Sequence, residues 1–90
     1  MKTVRIFVSG LVQGVNFRSY VKQKADALNL YGFARNLEDG RVEIVAEGDP
    51  VILRDFIEEC KKGPLGSRVK NVIFDDINHQ GFHDFRIMRN

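Results

Sequence analysis

One cysteine, two prolines and no tryptophan occur in these 90 residues. The lone thiol, Cys60, excludes an intramolecular disulfide framework and any cysteine-built metal cage. It suits a reducing compartment, so a cytoplasmic location is expected. No run approaches the ~20 apolar residues of a membrane-spanning helix. Met1-Lys2-Thr3 leads straight into strand-like sequence rather than a signal peptide. A strong excess of one charge is also missing: 14 basic residues face 12 acidic ones, leaving a net +2. That balance argues against a strongly electrostatic nucleic-acid binder but leaves room for a local basic pocket. With no linker, repeat or low-complexity run, a single domain over 1–90 is expected.

What is present is enough apolar material for a core. Hydrophobic residues make up 43% of the chain, seven of them Phe. Residues 3–9 alternate, with Val4, Ile6 and Val8 on one face, and read as a strand. From 17 to about 29, Phe17, Tyr20, Val21, Ala25 and Leu28 follow helical spacing, with Asn16 in the N-cap position. Residues 31–47 read as a hairpin turning at Glu38-Asp39-Gly40. Asp49-Pro50 starts a second helix that buries Leu53, Phe56, Ile57 and Cys60 and stops at Gly63-Pro64. Residues 69–77 are β-rich, 79–83 form a turn, and Phe85 with Ile87 marks a short last strand. The order β-α-β-β-α-β plus one strand predicts an α+β ferredoxin-like sandwich: a mostly antiparallel sheet of four to five strands with two helices on one face.

The chemistry is concentrated in Ser9 to Arg18, where a strand passes through a glycine-bearing loop into a helix. Glycines at 10 and 14 let the backbone turn tightly and present N–H groups. The helix that follows aims its unpaired first-turn N–H groups and its positive dipole end into the same space. With Arg18 as a forked cationic donor, the segment is a cradle for a tetrahedral anion. In the split βαβ arrangement the first two strands run the same way, so their C-terminal ends share one end of the sheet. Asn36, near the end of the second strand, is thereby brought toward Arg18, with an amide able to hold a water or another oxygen.

Gly10-Leu11-Val12-Gln13-Gly14-Val15-Asn16-Phe17-Arg18 resembles the phosphate-binding signature of the acylphosphatase family, Gly-x-Val-Gln-Gly-Val-x-Phe-Arg. The stretch from Gly32 to Glu43 resembles the family's second signature, Gly-x-Val-x-Asn-x-x-Asp-Gly-x-Val-Glu, and Gly63-Pro64 followed by Arg68-Val69 resembles its link into the fourth strand. The resemblance spans essentially the whole chain. It implies hydrolysis of small acyl phosphates, with Arg18 binding the phosphoryl group and Asn36 positioning the attacking water. Gln13, Gly14, Val15, Asn16, Phe17 and Arg18 would bind substrate through their N–H groups. No cofactor or metal is expected, and phosphate would be product and inhibitor. Ala34 departs from the usual Val, a packing change, and Asn16 occupies a variable position in the loop.

An acyl phosphate suits so sparse a site. Its leaving group is a carboxylate, whose conjugate acid has a pKa of about 4, so no general acid is required. Positioning and charge stabilisation are then the main requirements. No Cys or Ser stands in the loop at a phosphatase-nucleophile spacing, which favours direct attack by water. His79 and His83 are expected to be surface residues, and Asp75-Asp76 a solvated strand end. Two other functions remain open. A non-catalytic anion-binding module would bind phosphate without turnover. A single-stranded RNA binder would need exposed sheet aromatics, for which Phe7, Phe33 and Phe74 are the candidates, though packing roles are expected for them. The expected protein acts on a small molecule as a monomer, engaging neither nucleic acid nor membrane.

Overall fold

Alternating β-branched residues and two amphipathic helices produce the expected layers in a computed structural model that describes residues 1–89. The elements are β1 (Lys2–Leu11), α1 (Phe17–Ala27), β2 (Tyr31–Asn36), β3 (Val42–Gly48), α2 (Pro50–Lys62), β4 (Arg68–Ile77) and β5 (Phe85–Met88). The sheet order is β4-β1-β3-β2-β5. β3 is antiparallel to both β1 and β2, which therefore run the same way on either side of it, and β5 lies parallel to β2. This is the ferredoxin-like α+β sandwich with one added edge strand.

Both helices cover one face of the sheet. There Val4, Ile6 and Val8 stand opposite Ala46, Ile44 and Val42, all buried, under Phe17 and Val21 of α1 and Leu53 and Phe56 of α2. α2 begins as its sequence predicts: the Asp49 carboxylate accepts from the Val51 N–H at 2.8 Å, with Pro50 at the first helical position. α1 begins differently. Asn16 does hold the N-cap position, but in the left-handed conformation (φ 60°) and without a side-chain capping bond. Asn is among the few non-glycine residues that tolerate that conformation, so it serves the sharp entry into the helix by its backbone.

β1 runs two residues beyond its predicted end. A bulge between Ser9 and Gly10 shifts its register against β4, and Gly10 and Leu11 pair with Val69 and Arg68. A Cβ on Gly10 would fall 2.1 Å from the Arg68 carbonyl oxygen. Gly10 thus serves this close strand contact rather than opening the anion loop, a correction to the sequence reading.

The other face of the sheet is partly covered by the 78–84 loop, which carries the chain from the β4 edge to β5 on the far side. Glu47 of β3, 1% exposed, anchors it by accepting from the backbone N–H groups of Gln80, Gly81 and Phe82 and from the Thr3 hydroxyl at 2.6 Å. Phe82 lies edge-on against Phe33, and Arg41 stacks 4.5 Å from the centre of Phe7. Phe7 and Phe33 are therefore sheet-packing residues. Phe74 is 49% exposed beside α2 and belongs to no core, contrary to the packing role expected of it.

Candidate active site

The C-terminal ends of β1, β2 and β5 converge at one end of the sheet, because β1 and β2 flank β3 in the same sense and β5 is parallel to β2. Between them and the start of α1 lies a cavity of about 230 Å³. That is below the roughly 300–1,000 Å³ of pockets that enclose drug-sized ligands, and suits a small group. Arg18 from α1 and Asn36 from β2 both line it, as do Gly14, Asn16 and Phe17 of the loop and helix start. The first helical bond, Tyr20 N–H to the Asn16 carbonyl at 3.0 Å, leaves the N–H groups of Phe17, Arg18 and Ser19 ahead of the ladder. The dipole of α1 adds partial positive charge at the same place.

The Arg18 guanidinium is held by the end of β5. Its Nη1 donates to the Met88 carbonyl at 2.9 Å, so the last residue of β5 orients the cation. The remaining N–H groups of the fork keep their capacity for an oxyanion. Asn36 ends β2 opposite Val42.

Two of the six expected substrate-binding residues do not line the cavity. Val15 packs against the hydrophobic core. Gln13 turns its side chain away, donating from Nε2 to the carbonyls of Leu37 and Arg41 at 2.7 and 2.9 Å. Sequence reasoning also missed residues that are there: Val12, Ser19, Ile87 and Arg89. Arg89 brings a second cation, and no spacing in the sequence predicts it. It arrives only because β5 pairs in parallel with β2, setting Met88 opposite Arg35. His79 and His83 lie in the loop at the other end of the sheet, as expected. The exposed His79 Nδ1 reaches the Glu47 carboxylate at 3.2 Å. Among the described residues, no group of three or more His, Cys, Asp or Glu is placed to hold a metal ion.

Three titrations follow from the surroundings. Burial opposes ionisation of Glu47, but its hydrogen bonds from Thr3, Gln80 and Phe82 and the nearby His79 outweigh that and bring its pKa down to about 2. Burial, with the Glu59 carboxylate beside it, pushes the Tyr20 hydroxyl up to about 12. Burial likewise pushes the Cys60 thiol up, leaving it an unreactive part of the core.

The acylphosphatase family model matches residues 4–87. The chain belongs to the acylphosphatase family. An acylphosphatase of Thermotoga maritima is 42% identical over 87 residues, covering 97% of either chain. The crystal structure of acylphosphatase from Bacillus subtilis superposes with a TM-score of 0.96 at 41% identity, over 99% of this chain and 100% of the other. The structure of an acylphosphatase from Coxiella burnetii gives 0.93 at 38% identity, over 97% and 92%. The acylphosphatase resemblance of the two motifs therefore extends through the whole fold. No helix among the described residues is long and apolar enough to cross a membrane.

Proposed function

We propose that this cavity hydrolyses small acyl phosphates, the reaction that acylphosphatase membership carries, by direct attack of water on phosphorus. The observation that supports it most is the meeting of Arg18 and Asn36, eighteen positions apart in sequence, in one cavity at the N-terminus of α1. Arg18 and the N–H groups of the loop and first helical turn hold the phosphoryl oxygens, and Arg89 adds positive charge. Asn36 holds the water in line with the departing carboxylate. A bond forms from water oxygen to phosphorus as the bond from phosphorus to the acyl oxygen breaks. The carboxylate leaves without needing a proton. Among the described residues, neither Asp, Glu, His nor Lys lines the cavity, so the proton lost by water goes to a phosphoryl oxygen or to solvent. Catalysis rests on placement and on charge stabilisation of the equatorial oxygens. We also read the protein as a cytoplasmic monomer, inhibited by its product phosphate, whose balanced charge does not favour nucleic acid.

Benzoyl phosphate hydrolysis tests this reading. Arg18 touches the phosphoryl group in ground and transition states, so Arg18→Ala should weaken both phosphate inhibition and turnover. Asn36 acts on the water, so Asn36→Ala should lower kcat by on the order of 10²-fold with phosphate inhibition nearly unchanged. A folded Asn36→Ala protein turning over at the wild-type rate would remove Asn36 from the mechanism. Acid quenching during turnover should leave no phosphate on the protein. Covalent phosphate found there would replace water attack by a phosphoenzyme.

A further inference from the structure

The strands that carry the two halves of the site share little of the sheet near it. β1 leaves β3 after the Val8–Val42 pair and continues only beside β4. β2 reaches the same Val42 through Asn36 and then turns. Past Val42, no ladder joins the 12–16 loop to the 37–41 turn. Gln13 spans that gap. Its amide nitrogen gives both hydrogens to the carbonyls at the mouth of the turn, Leu37 at 2.7 Å and Arg41 at 2.9 Å. These same carbonyls already close the turn, accepting from Gly40 N–H and Leu37 N–H. Leu37 directly follows Asn36, so the clamp acts one position from a residue that lines the cavity.

We propose that Gln13 is a positioning residue: by clamping the β2–β3 turn to the anion loop, its side-chain amide fixes Asn36 relative to the phosphoryl group. This rests on the water-holding role of Asn36. Reactivity falls steeply when a water is displaced from its line of attack, whereas the anion site, built from Arg18 and N–H groups, stays assembled without the clamp. Gln13 therefore governs kcat and leaves phosphate binding alone.

The test combines two variants with an Asn36→Ala background. Gln13→Met keeps the side-chain length and removes both donors. It should lower kcat for benzoyl phosphate by at least tenfold, on the scale of lost positioning, with phosphate inhibition within about threefold of wild type. Placed on Asn36→Ala, it should cause almost no further loss, because both act through one water. Gln13→Glu sets a carboxylate against two carbonyl oxygens. Its kcat should recover as pH falls and the carboxyl regains a proton to donate, while the wild type shows no such rise. That recovery is read within one folded protein, so a folding defect cannot mimic it. Unchanged kcat in Gln13→Met, a parallel loss of phosphate binding, or losses that multiply with those of Asn36→Ala would each overturn the proposal. A silent Asn36→Ala would instead overturn the water-holding role itself.

Discussion

Gly32 and Gly14 look alike in the sequence, each a glycine inside a motif, yet they meet different physics. Gly32 has φ 149° within β2, and a Cβ there would sit 1.8 Å from the Val45 carbonyl oxygen. That oxygen is backbone of the neighbouring strand and cannot move aside. Gly14, at φ 75°, faces open space. Gly32→Ala should therefore cost about 2–5 kcal/mol, combining backbone strain with overpacking. Gly14→Ala should cost about 1 kcal/mol, the left-handed conformation alone. Urea denaturation of the two variants checks this, and equal losses would contradict it. The sequence marks both positions as special but cannot say which one faces a wall. Gln13 poses the same difficulty: its place in a phosphate-binding motif suggests a ligand contact, and only the fold shows its amide turned to the hairpin.

At the scale of elements, a single buried carboxylate anchors the 78–84 loop that leads into β5. Glu47 receives three backbone N–H groups of the loop, and the strand that follows ends at the carbonyl that orients Arg18. Its pKa falls from an ordinary 4.5 to about 2 in the folded protein. A group depressed on folding stabilises fully above its unfolded pKa, and that contribution is lost as pH falls toward the folded value. From a displacement of this size the contribution is at most ~3 kcal/mol, present at pH 7 and lost between about pH 5 and 2. Glu47→Gln should lower Tm at neutral pH and flatten its decline over that acid range. Identical pH slopes for variant and wild type would remove Glu47 from the linkage. Alternation in β3 already sets Glu43, Val45 and Glu47 on the face away from the helices, which in a sandwich of this type is the wet face. Alternation alone does not mark Glu47 for burial. It is buried because the connection from β4 to β5 crosses over it.

At the scale of the molecule, the electrostatics of the site contrast with its surroundings. The whole chain is near neutral at +2, while the cavity gathers Arg18, Arg89 and a helix N-terminus. Such a site attracts anions and repels a divalent cation. Turnover of benzoyl phosphate is expected to survive exhaustive chelation unchanged. Loss of activity restored by added Mg²⁺ or Zn²⁺ would mean that a metal takes part.

The sequence by itself determined the elements, their order and the helix-facing core, because period-2 and period-3.6 patterning and the Asp49-Pro50 cap are local properties written into neighbouring residues. It also determined that Arg18 and Asn36 would meet, since a right-handed crossover between two strands of the same direction leaves no other end of the sheet for them. Tertiary structure alone decided the rest: the arrival of Arg89, the grip of the Met88 carbonyl on Arg18, the burial of Glu47 and the clamp by Gln13. Each joins residues between 24 and 71 positions apart through a register or a loop path. Such distances are set by how strands pair and by where a connection crosses the sheet, and no local pattern encodes them.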